Sequence, residues 1–324
     1  MQRFREASWK ARATGPLSPC LVWSCVLAFS GLAPAVAPGA EGMQAEAPSF
    51  AFKSGERLFM VYQYTENPAK PYLSMLYSPA GVNVLRDSPA DHKHHHGLMF
   101  AVAVDGVDFW SESPKCGRQV YRSQDTARLF AQHGDALQFG PQSIDWVGPD
   151  GKKVIVRETR GIGVRRAGPS GATLVTWRTR LEPPPGKDSV TLTGSAYFGL
   201  GMRFVPTMDK GGWFINADNK TGVAGTNNAR SAWCAYSASA DGKPVTVAMF
   251  DSPANPRHPA TWFTMDSAFA YLAATLDLSR QPLAIAAGKP LELCYYVAVW
   301  DGKVDAATIA ALYREAAAET KRSK

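Results

Sequence analysis

The chain has 324 residues, enough to bury a large core, and 45% of them are hydrophobic. Its net charge of +7 comes from basic residues scattered among acidic ones. So mild and dispersed an excess argues against a nucleic-acid-binding surface, and the short basic run at 321–324 is typical of a solvated tail.

Residues 1–40 have the pattern of a signal peptide. Basic residues at positions 3, 5, 10 and 12 precede the apolar run 21–37, which ends in small residues suited to cleavage. The run is interrupted and shorter than the about 20 apolar residues of a good membrane span. We therefore expect an exported protein, periplasmic or secreted, with an uncleaved N-terminal anchor as the alternative. Because the segment carries four basic residues and one acidic residue, its removal would lower the net charge to +4.

Cysteine usage predicts no disulfide framework. Cys116, Cys234 and Cys294 follow the N-terminal segment, and three cysteines at wide spacing allow one bridge at most. The sequence does not decide its pairing.

Residues 41–50 read as a linker, and the chain then alternates between apolar and polar residues in the manner of strands. The predicted strands are 57–64, 98–104, 153–159, 173–181, 189–200, 244–250 and 291–300. Asp-Gly pairs beside several of them are typical of tight turns between antiparallel strands. We predict an all-β fold, a large antiparallel β-sandwich over residues 51–303.

One helix is predicted at the end of the sandwich, over residues 304–320 and packed on it. Asp305 is a suitable cap, and Ile309, Leu312, Tyr313 and Ala316 form an apolar stripe with helical spacing.

The densest chemical signal is ADHKHHHGL at 90–98, which holds four of the six histidines. In extended backbone, His92, His94 and His96 would share one face and His95 would point to the other. These imidazoles are candidates for acid–base catalysis, because histidine titrates near neutral pH. A structural role remains the third interpretation.

Metal binding is the second interpretation of the same run. Two imidazoles of an H-x-H pair can hold one ion, with a third ligand from elsewhere. We take His92, His94 and His258 as the candidate ligands of a divalent ion such as Zn, Mn or Ca, with Asp87, Asp91 and Asp251 as further donors.

Two other stretches supply candidate binding residues. MFDSPANPRHPATWF at 249–263 is stiffened by three prolines, and TNNARSAWCAYS at 226–237 combines amide, guanidinium and aromatic groups. His258 joins the catalytic candidates. The substrate-binding candidates are Arg86, Asn228, Arg230, Trp233, Asp251, Asn255, Arg257 and Trp262. For a single aromatic such as Trp233 a core position is the simpler interpretation.

Well-known catalytic motifs are missing from the sequence. It contains no G-x-S-x-G, Walker loop, dinucleotide-binding glycine motif, C-x-x-C or H-E-x-x-H. Glu112, Glu158 and Glu292 are eligible carboxylates, but their spacing does not single out a catalytic pair.

The stretches 91–110, 228–237 and 251–263, with PYLSMLYSPAGVNVLRD at 71–87, resemble a family of mostly exported bacterial proteins of unknown function. That family also carries the label "methane oxygenase PmoA". A membrane subunit of a methane monooxygenase would need several spans, and no later apolar run approaches that length, so we expect a different function. Family members commonly have His-His-Arg-Gly where this chain has His95-His96-Gly97.

The stretch LAIAAGKPLELCYYVAV at 283–299 is similar to the last strands of galactose-mutarotase-like supersandwiches. Those proteins bind sugars on a concave sheet, commonly with a histidine and a carboxylate, so the resemblance implies carbohydrate chemistry outside the cytoplasm.

Our leading hypothesis is an exported sugar lyase, epimerase or hydrolase in which the histidine run faces the proline-stiffened loop across one concavity. The alternatives are a non-catalytic carbohydrate-binding protein and an exported metal-binding protein. Membrane contact is expected only through the N-terminal segment.

Overall fold

The computed structural model describes residues 43–46, 49–64, 69–122, 130–133, 136–167, 169 and 171–322. The predicted signal peptide over residues 1–40 lies outside this part of the chain.

The first sheet contains eight strands, and every neighbouring pair is antiparallel. In spatial order they are β1 (Met43–Glu46), β2 (Ser49–Ser54), β3 (Arg57–Gln63), β4 (Tyr72–Leu76), β5 (Leu98–Ala101), β14 (Gly199–Arg203), β19 (Tyr271–Thr275) and β18 (Thr261–Met265).

The second sheet contains nine strands among the described residues, again antiparallel. Eight follow one another in the order β15 (Trp213–Asn216), β16 (Trp233–Ala240), β17 (Lys243–Asp251), β21 (Leu291–Asp301), β12 (Thr173–Glu182), β11 (Val154–Arg166), β10 (Ala136–Val147) and β8 (Arg118–Tyr121). The ninth, β9 (Phe130–His133), pairs with β10.

The remaining elements are short apart from the last helix. A small sheet has the order β20 (Leu283–Ala286), β13 (Ser189–Thr193), β6 (Ala103–Val104) and β7 (Val107–Asp108). A 3-10 turn covers Pro206–Met208, α1 covers Gly222–Thr226, and α2 covers Ala306–Arg322.

The main core lies between the two large sheets, because alternate side chains of each sheet point at the other. Phe100 of the first sheet packs on Trp146 of the second at 6.1 Å between ring centroids, and Phe50 packs on Phe139 at 4.8 Å. The predicted all-β antiparallel sandwich with a C-terminal helix is therefore confirmed.

Helix α2 covers part of the outer face of the second sheet. Its residues Ile309, Leu312 and Ala316 are buried, as their spacing predicts, and they pack with Trp233 and Phe250 in a second apolar cluster. Asp305 caps the helix by accepting a hydrogen bond from the Thr308 backbone N–H at 2.8 Å.

Two predicted segments differ from the structure. Residues 43–46 and 49–50, expected in a linker, pair as the first two strands. The predicted strand 189–200 is divided between the small sheet and the first sheet. The break begins at Gly194, where the Phe198 ring packs so closely that an added Cβ would meet it at 2.6 Å.

Cys116, Cys234 and Cys294 are buried, and none of them forms a disulfide bond in the described part of the chain. Within the described residues, no helix combines the length and the apolar character needed to cross a membrane.

Candidate active site

The histidine run does not form a strand. Two backbone hydrogen bonds, from His92 N–H to the Pro89 carbonyl and from His95 N–H to the His92 carbonyl, wind it into turns. As a result His95 stacks on His92 at 4.6 Å, and His96 points elsewhere. The predicted alternation of the four imidazoles on two faces is wrong, because it assumed extended backbone.

The run is anchored at its end by close backbone packing. A Cβ on Gly97 would lie 2.1 Å from the Leu73 carbonyl oxygen, so only glycine fits there. The Gly97 carbonyl accepts a hydrogen bond from Arg203 N–H at 2.8 Å, and the Ser88 N–H donates to the His95 carbonyl. The imidazoles are therefore held on the first sheet, beside β4, β5 and β14.

His96 lies between two carboxylates in a cluster that we call the charged centre: Lys70, Tyr72, Asp87, His96 and Glu112. Lys70, Tyr72 and His96 are buried, whereas the two carboxylates reach solvent. Its Nδ1 is 2.8 Å from Asp87 Oδ1, and its Nε2 is 2.7 Å from Glu112 Oε1. The Tyr72 ring stacks on the imidazole at 4.1 Å, and the Tyr72 hydroxyl donates to Asp87 Oδ2. A protonated imidazole donates to both carboxylates at once, so the geometry suits the imidazolium form.

Lys70 is the second basic residue of the charged centre. Its side chain has no solvent exposure, and its Nζ donates to Glu112 Oε1 at 2.6 Å and to the Trp110 carbonyl at 2.9 Å. Burial lowers the pKa of Lys70, an effect that Glu112 opposes.

The pKa values in the charged centre follow from these contacts. Burial alone would lower the pKa of His96, but hydrogen bonds to Asp87 and Glu112 outweigh it and raise the pKa. Burial alone would raise the pKa of Glu112, yet His96 and Lys70 lower it to about 2. Glu112 is therefore a fixed anion at any ordinary pH.

The pKa values of His94 and His95 shift in the opposite direction. Burial, together with neighbouring positive groups, lowers the pKa of His94 and brings that of His95 to about 3. His92 is 38% exposed and its Nδ1 lies 2.9 Å from Asp91, whose pKa is lowered to about 2 chiefly by that hydrogen bond. The run thus places neutral imidazoles next to a charged one.

Six aromatic rings beside His95 form a set that we call the aromatic wall: Trp110, Tyr197, Phe198, Phe263, Phe269 and Tyr271. Trp110, Phe269 and Tyr271 contact His95, and the other three pack on these rings. Trp110 stacks on Phe198 at 5.1 Å and meets Tyr197 edge-on at 5.4 Å. Tyr197 is 37% exposed, so the wall opens to solvent.

Buried polar atoms without partners converge on this wall. Among the described residues eleven such atoms exist, and five belong to this site: His95 Nδ1, Trp110 Nε1, Tyr271 Oη, and Nε and Nη1 of Arg203. The His95 ring lies 5.3 Å from Tyr271 and 6.3 Å from Trp110, and the Arg203 guanidinium lies 3.4 Å from the Phe269 ring centroid. Because buried polar groups are normally hydrogen-bonded, this concentration of unpartnered atoms is unusual.

His258 lies away from the histidine run. Strand β18 starts at Thr261, three residues after His258, and Thr261 pairs with Thr275, whereas Met265 pairs with Tyr271 next to His95. Strands rise about 3.3 Å per residue, so the four steps from Tyr271 to Thr275 span about 13 Å. The two motifs thus lie near opposite ends of β18 and are not in contact, and their meeting across one concavity stays a prediction.

The proposed metal trio His92, His94 and His258 is therefore not assembled. In the part of the chain that the structure describes, no three or more His, Cys, Asp or Glu side chains are grouped to hold an ion.

The polar side chains of the proline-stiffened loop form hydrogen bonds that fix the conformation and position of the loop. His258 Nδ1 lies 2.7 Å from buried Asp251, and Asn255 donates to Asp251 and to the Cys294 carbonyl. Arg257 donates to backbone carbonyls, including that of Gln281 at 2.7 Å, and Arg230 donates to the carbonyls of 257, 258 and 259.

The other predicted binding residues are also spread over the fold. Trp233 and Trp262 are core residues, 3% and 0% exposed, and Asn228 is exposed in the loop after α1. Arg86 alone lies near the site, since its backbone N–H donates to the Arg203 carbonyl and its guanidinium is 3.8 Å from Asp209.

Sequence reasoning missed Lys70, Tyr72, Arg203 and Tyr271, and it left Glu112 without a role. One signal was available for Arg203, which closes the run GLGMR in a strand that is buried throughout. A charge is costly in such a strand unless it is paired or functional. Lys70 gives no comparable signal, because nothing in its neighbourhood predicts its burial.

The chain belongs to DUF6807, a family of unknown function, whose model matches residues 49–314. A search of curated proteins finds no match.

Solved structures show a distant likeness. A GH36 alpha-galactosidase, AgaB from Geobacillus stearothermophilus, is 12% identical with a TM-score of 0.46 over 80% of this chain and 41% of that one. An alpha-galactosidase from Lactobacillus brevis is 6% identical, with a TM-score of 0.46 over 84% and 41% of the two chains. A protein described as a mutarotase, YeaD from Salmonella typhimurium, is 11% identical, with a TM-score of 0.40 over 80% and 95%. The match thus spans about two fifths of each alpha-galactosidase.

Proposed function

We propose that the protein is an exported carbohydrate-active enzyme that abstracts a proton from a saccharide, as a lyase or an epimerase, at the charged centre and aromatic wall. The observation that carries the proposal is the convergence of five unpartnered buried polar atoms on aromatic rings beside a charged imidazole. Export is supported by the N-terminal pattern of the sequence.

A saccharide suits both halves of the site. Its hydroxyl groups can donate to His95 Nδ1 and accept from Trp110 Nε1, two atoms that the protein leaves without partners. Its apolar ring face can lie on exposed Tyr197, which continues the wall from Trp110.

The charges favour proton abstraction. His94 is partly exposed, and its lowered pKa keeps it neutral near pH 7, so it can accept a proton. His96 and Arg203 carry positive charge into the same region and would stabilise the anion that forms when a proton leaves carbon. His94 is therefore the proposed base, and His96 the proposed electrostatic partner.

Glycoside hydrolysis fits less well. A hydrolase of the usual kind needs one protonated carboxyl group opposite a second carboxylate. Here Asp87 and Glu112 both bind the same imidazole, and the pKa of Glu112 is about 2, so it has no proton to donate.

Solvent exchange tests the proposal directly. The purified chain is incubated in D2O with a panel of uronic acids, keto-sugars and their glycosides, and proton NMR follows deuterium entering at C–H positions next to a carbonyl or carboxylate. We expect exchange or elimination on one member, lost in His94→Gln and retained in His258→Gln, because His258 lies at the other end of β18.

The alternative outcomes are informative. Saturable binding without exchange, unchanged in His94→Gln, would favour a non-catalytic carbohydrate-binding protein. Equal exchange by His94→Gln would remove His94 from the mechanism.

A further inference from the structure

A groove of about 750 Å³ crosses the outer face of the second sheet, away from the charged centre on the first sheet. It runs over β10, β11, β12 and β21, where alternate side chains point outward. The lining residues used below are Gln138, Gly161, Gly163, Thr176, Arg178 and Glu292. A space of this size is typical of small-ligand sites.

The floor of the groove consists of two glycines on the same face of β11. Glycine inside a strand is destabilising, and it is kept where a bulge, a bend or a close neighbour requires it. Gly161 lies opposite the irregular pairing of β10 between Phe139 and Gln142, which is one reason for a glycine there. An added Cβ on Gly161 would nevertheless meet only Arg178 Cβ, at 4.0 Å. A Cβ on Gly163 would likewise make only ordinary contacts, the nearest at 3.6 Å.

Steric contact with neighbouring atoms therefore does not require glycine at either position. Both glycines lower the floor of the groove between Gln138 on one side and Arg178 on the other, since Gly163 pairs with Gln138 and Gly161 with Arg178. For Gly163, which pairs regularly with Gln138, a close-lying ligand is the remaining reason for a glycine in a strand.

Arg178 supplies the charge of the groove. Its Nη1 lies 3.5 Å from the Cys294 sulfur, and no carboxylate of the described residues is within ion-pair distance of it. The neighbouring arginines differ, because Arg165 is held by Glu315 and Glu319, and Arg180 by Glu182. Arg178 is thus the guanidinium that is available to an anion.

We propose that this groove binds a carboxylate-bearing oligosaccharide, with one sugar ring over Gly161 and Gly163 and its carboxylate on Arg178. Gln138, Thr176 and Glu292 offer hydrogen bonds to the hydroxyl groups. The site is separate from the charged centre and does not depend on the proposed function.

Calorimetric titration of the full chain tests the groove with trimers of galacturonate, glucuronate and mannuronate. Gly161→Val fills the floor with a side chain that suits a strand, so we expect an unchanged or higher melting temperature and affinity lowered by about tenfold or more. Arg178→Ala should weaken binding by a similar factor, while Arg280→Ala, an exposed arginine paired with Asp277, should leave it within about twofold.

The methyl ester of the bound trimer keeps the shape and removes the charge, and it should bind about tenfold more weakly. The proposal fails if none of the three trimers binds, if the ester binds equally well, or if binding survives in both Gly161→Val and Arg178→Ala. Gly161→Val should retain the deuterium exchange expected of the charged centre, so failure of one proposal is distinguishable from failure of the other.

Discussion

The Lys70 ammonium lies 2.6 Å from Glu112 Oε1 in a position where the lysine side chain has no contact with solvent. A buried ammonium is stable only when it is paired and hydrogen-bonded, and Glu112 also accepts from His96. Glu112 is thus the shared anion of two cations. The charged centre depends on it more than on any other side chain.

Glu112→Gln should lower the free energy of unfolding by about 2 to 4 kcal/mol. Removing one partner of a buried pair costs about 3 to 5 kcal/mol, and partial exposure of Glu112, at 21%, reduces the loss. The pKa of His96 should also fall, because one of the two carboxylates that raise it becomes neutral. Urea unfolding and NMR titration of the imidazole measure the two effects.

The matched control is Glu182→Gln, which breaks the exposed pair with Arg180 and should cost less than about 1 kcal/mol. Similar losses in the two variants would show that Glu112 has no special role.

The contributions of His95 and His96 to folding stability should depend on pH in opposite directions. An unfolded histidine titrates near 6.5. The folded pKa of His96 is raised, so its contribution is complete below pH 6.5 and is lost as the pH rises through the folded value. The folded pKa of His95 is about 3, so its contribution is present above pH 6.5 and is lost as the pH falls toward 3.

Urea midpoints between pH 4 and 9 separate the two effects when His95→Gln and His96→Gln are compared. His96→Gln should abolish the alkaline decline and His95→Gln should reduce the acid one. In His96→Arg the guanidinium remains charged, so this variant should keep the pairing with Asp87 and Glu112 while losing the alkaline decline. Unchanged profiles in all three variants would contradict the assignments.

Tyr197→Ala should weaken saccharide binding by about tenfold, which corresponds to about 1.4 kcal/mol. The ring is 37% exposed and extends the wall at Trp110, so its loss removes stacking surface and little core packing. The change in unfolding free energy should stay below about 1 kcal/mol. Tyr197→Phe keeps the ring and should bind the saccharide normally in the same calorimetric titration. Equal affinity of the unmodified chain, Tyr197→Ala and Tyr197→Phe would exclude Tyr197 from the ligand surface.

Sequence patterns predicted the fold better than the site, for a physical reason. Strand β12 could be predicted because Val175 and Trp177 face the core while Arg178 faces out, and helix α2 because Ile309 and Leu312 recur at the helical period. Such periodicity is local, so a single sequence displays it.

The charged centre depends on pairs that are distant in the chain, such as Lys70 with Glu112, and no local pattern reports them. The sequence showed correctly that the four histidines are neighbours. It did not show how their rings are arranged, because the arrangement depends on turns at 89–95 and the prediction assumed an extended backbone. The proline-stiffened loop looked functional because it is rich in polar groups. Those groups instead fix the loop in place: Arg257 of the loop donates to the Gln281 carbonyl, and Arg230 from the other stretch donates to the His258 carbonyl.

Trp262 provides the last test of the revised site. It was a candidate for stacking on substrate, but its side chain is fully buried and its Nε1 donates to the Ser231 carbonyl at 2.7 Å. Trp262→Ala should therefore cost about 3 to 5 kcal/mol of unfolding free energy, and Trp262→Phe less, because the smaller ring leaves a smaller cavity. Saccharide affinity of folded Trp262→Phe should match that of the unmodified chain. A Trp262→Phe protein with normal stability and lost binding would return Trp262 to the ligand surface.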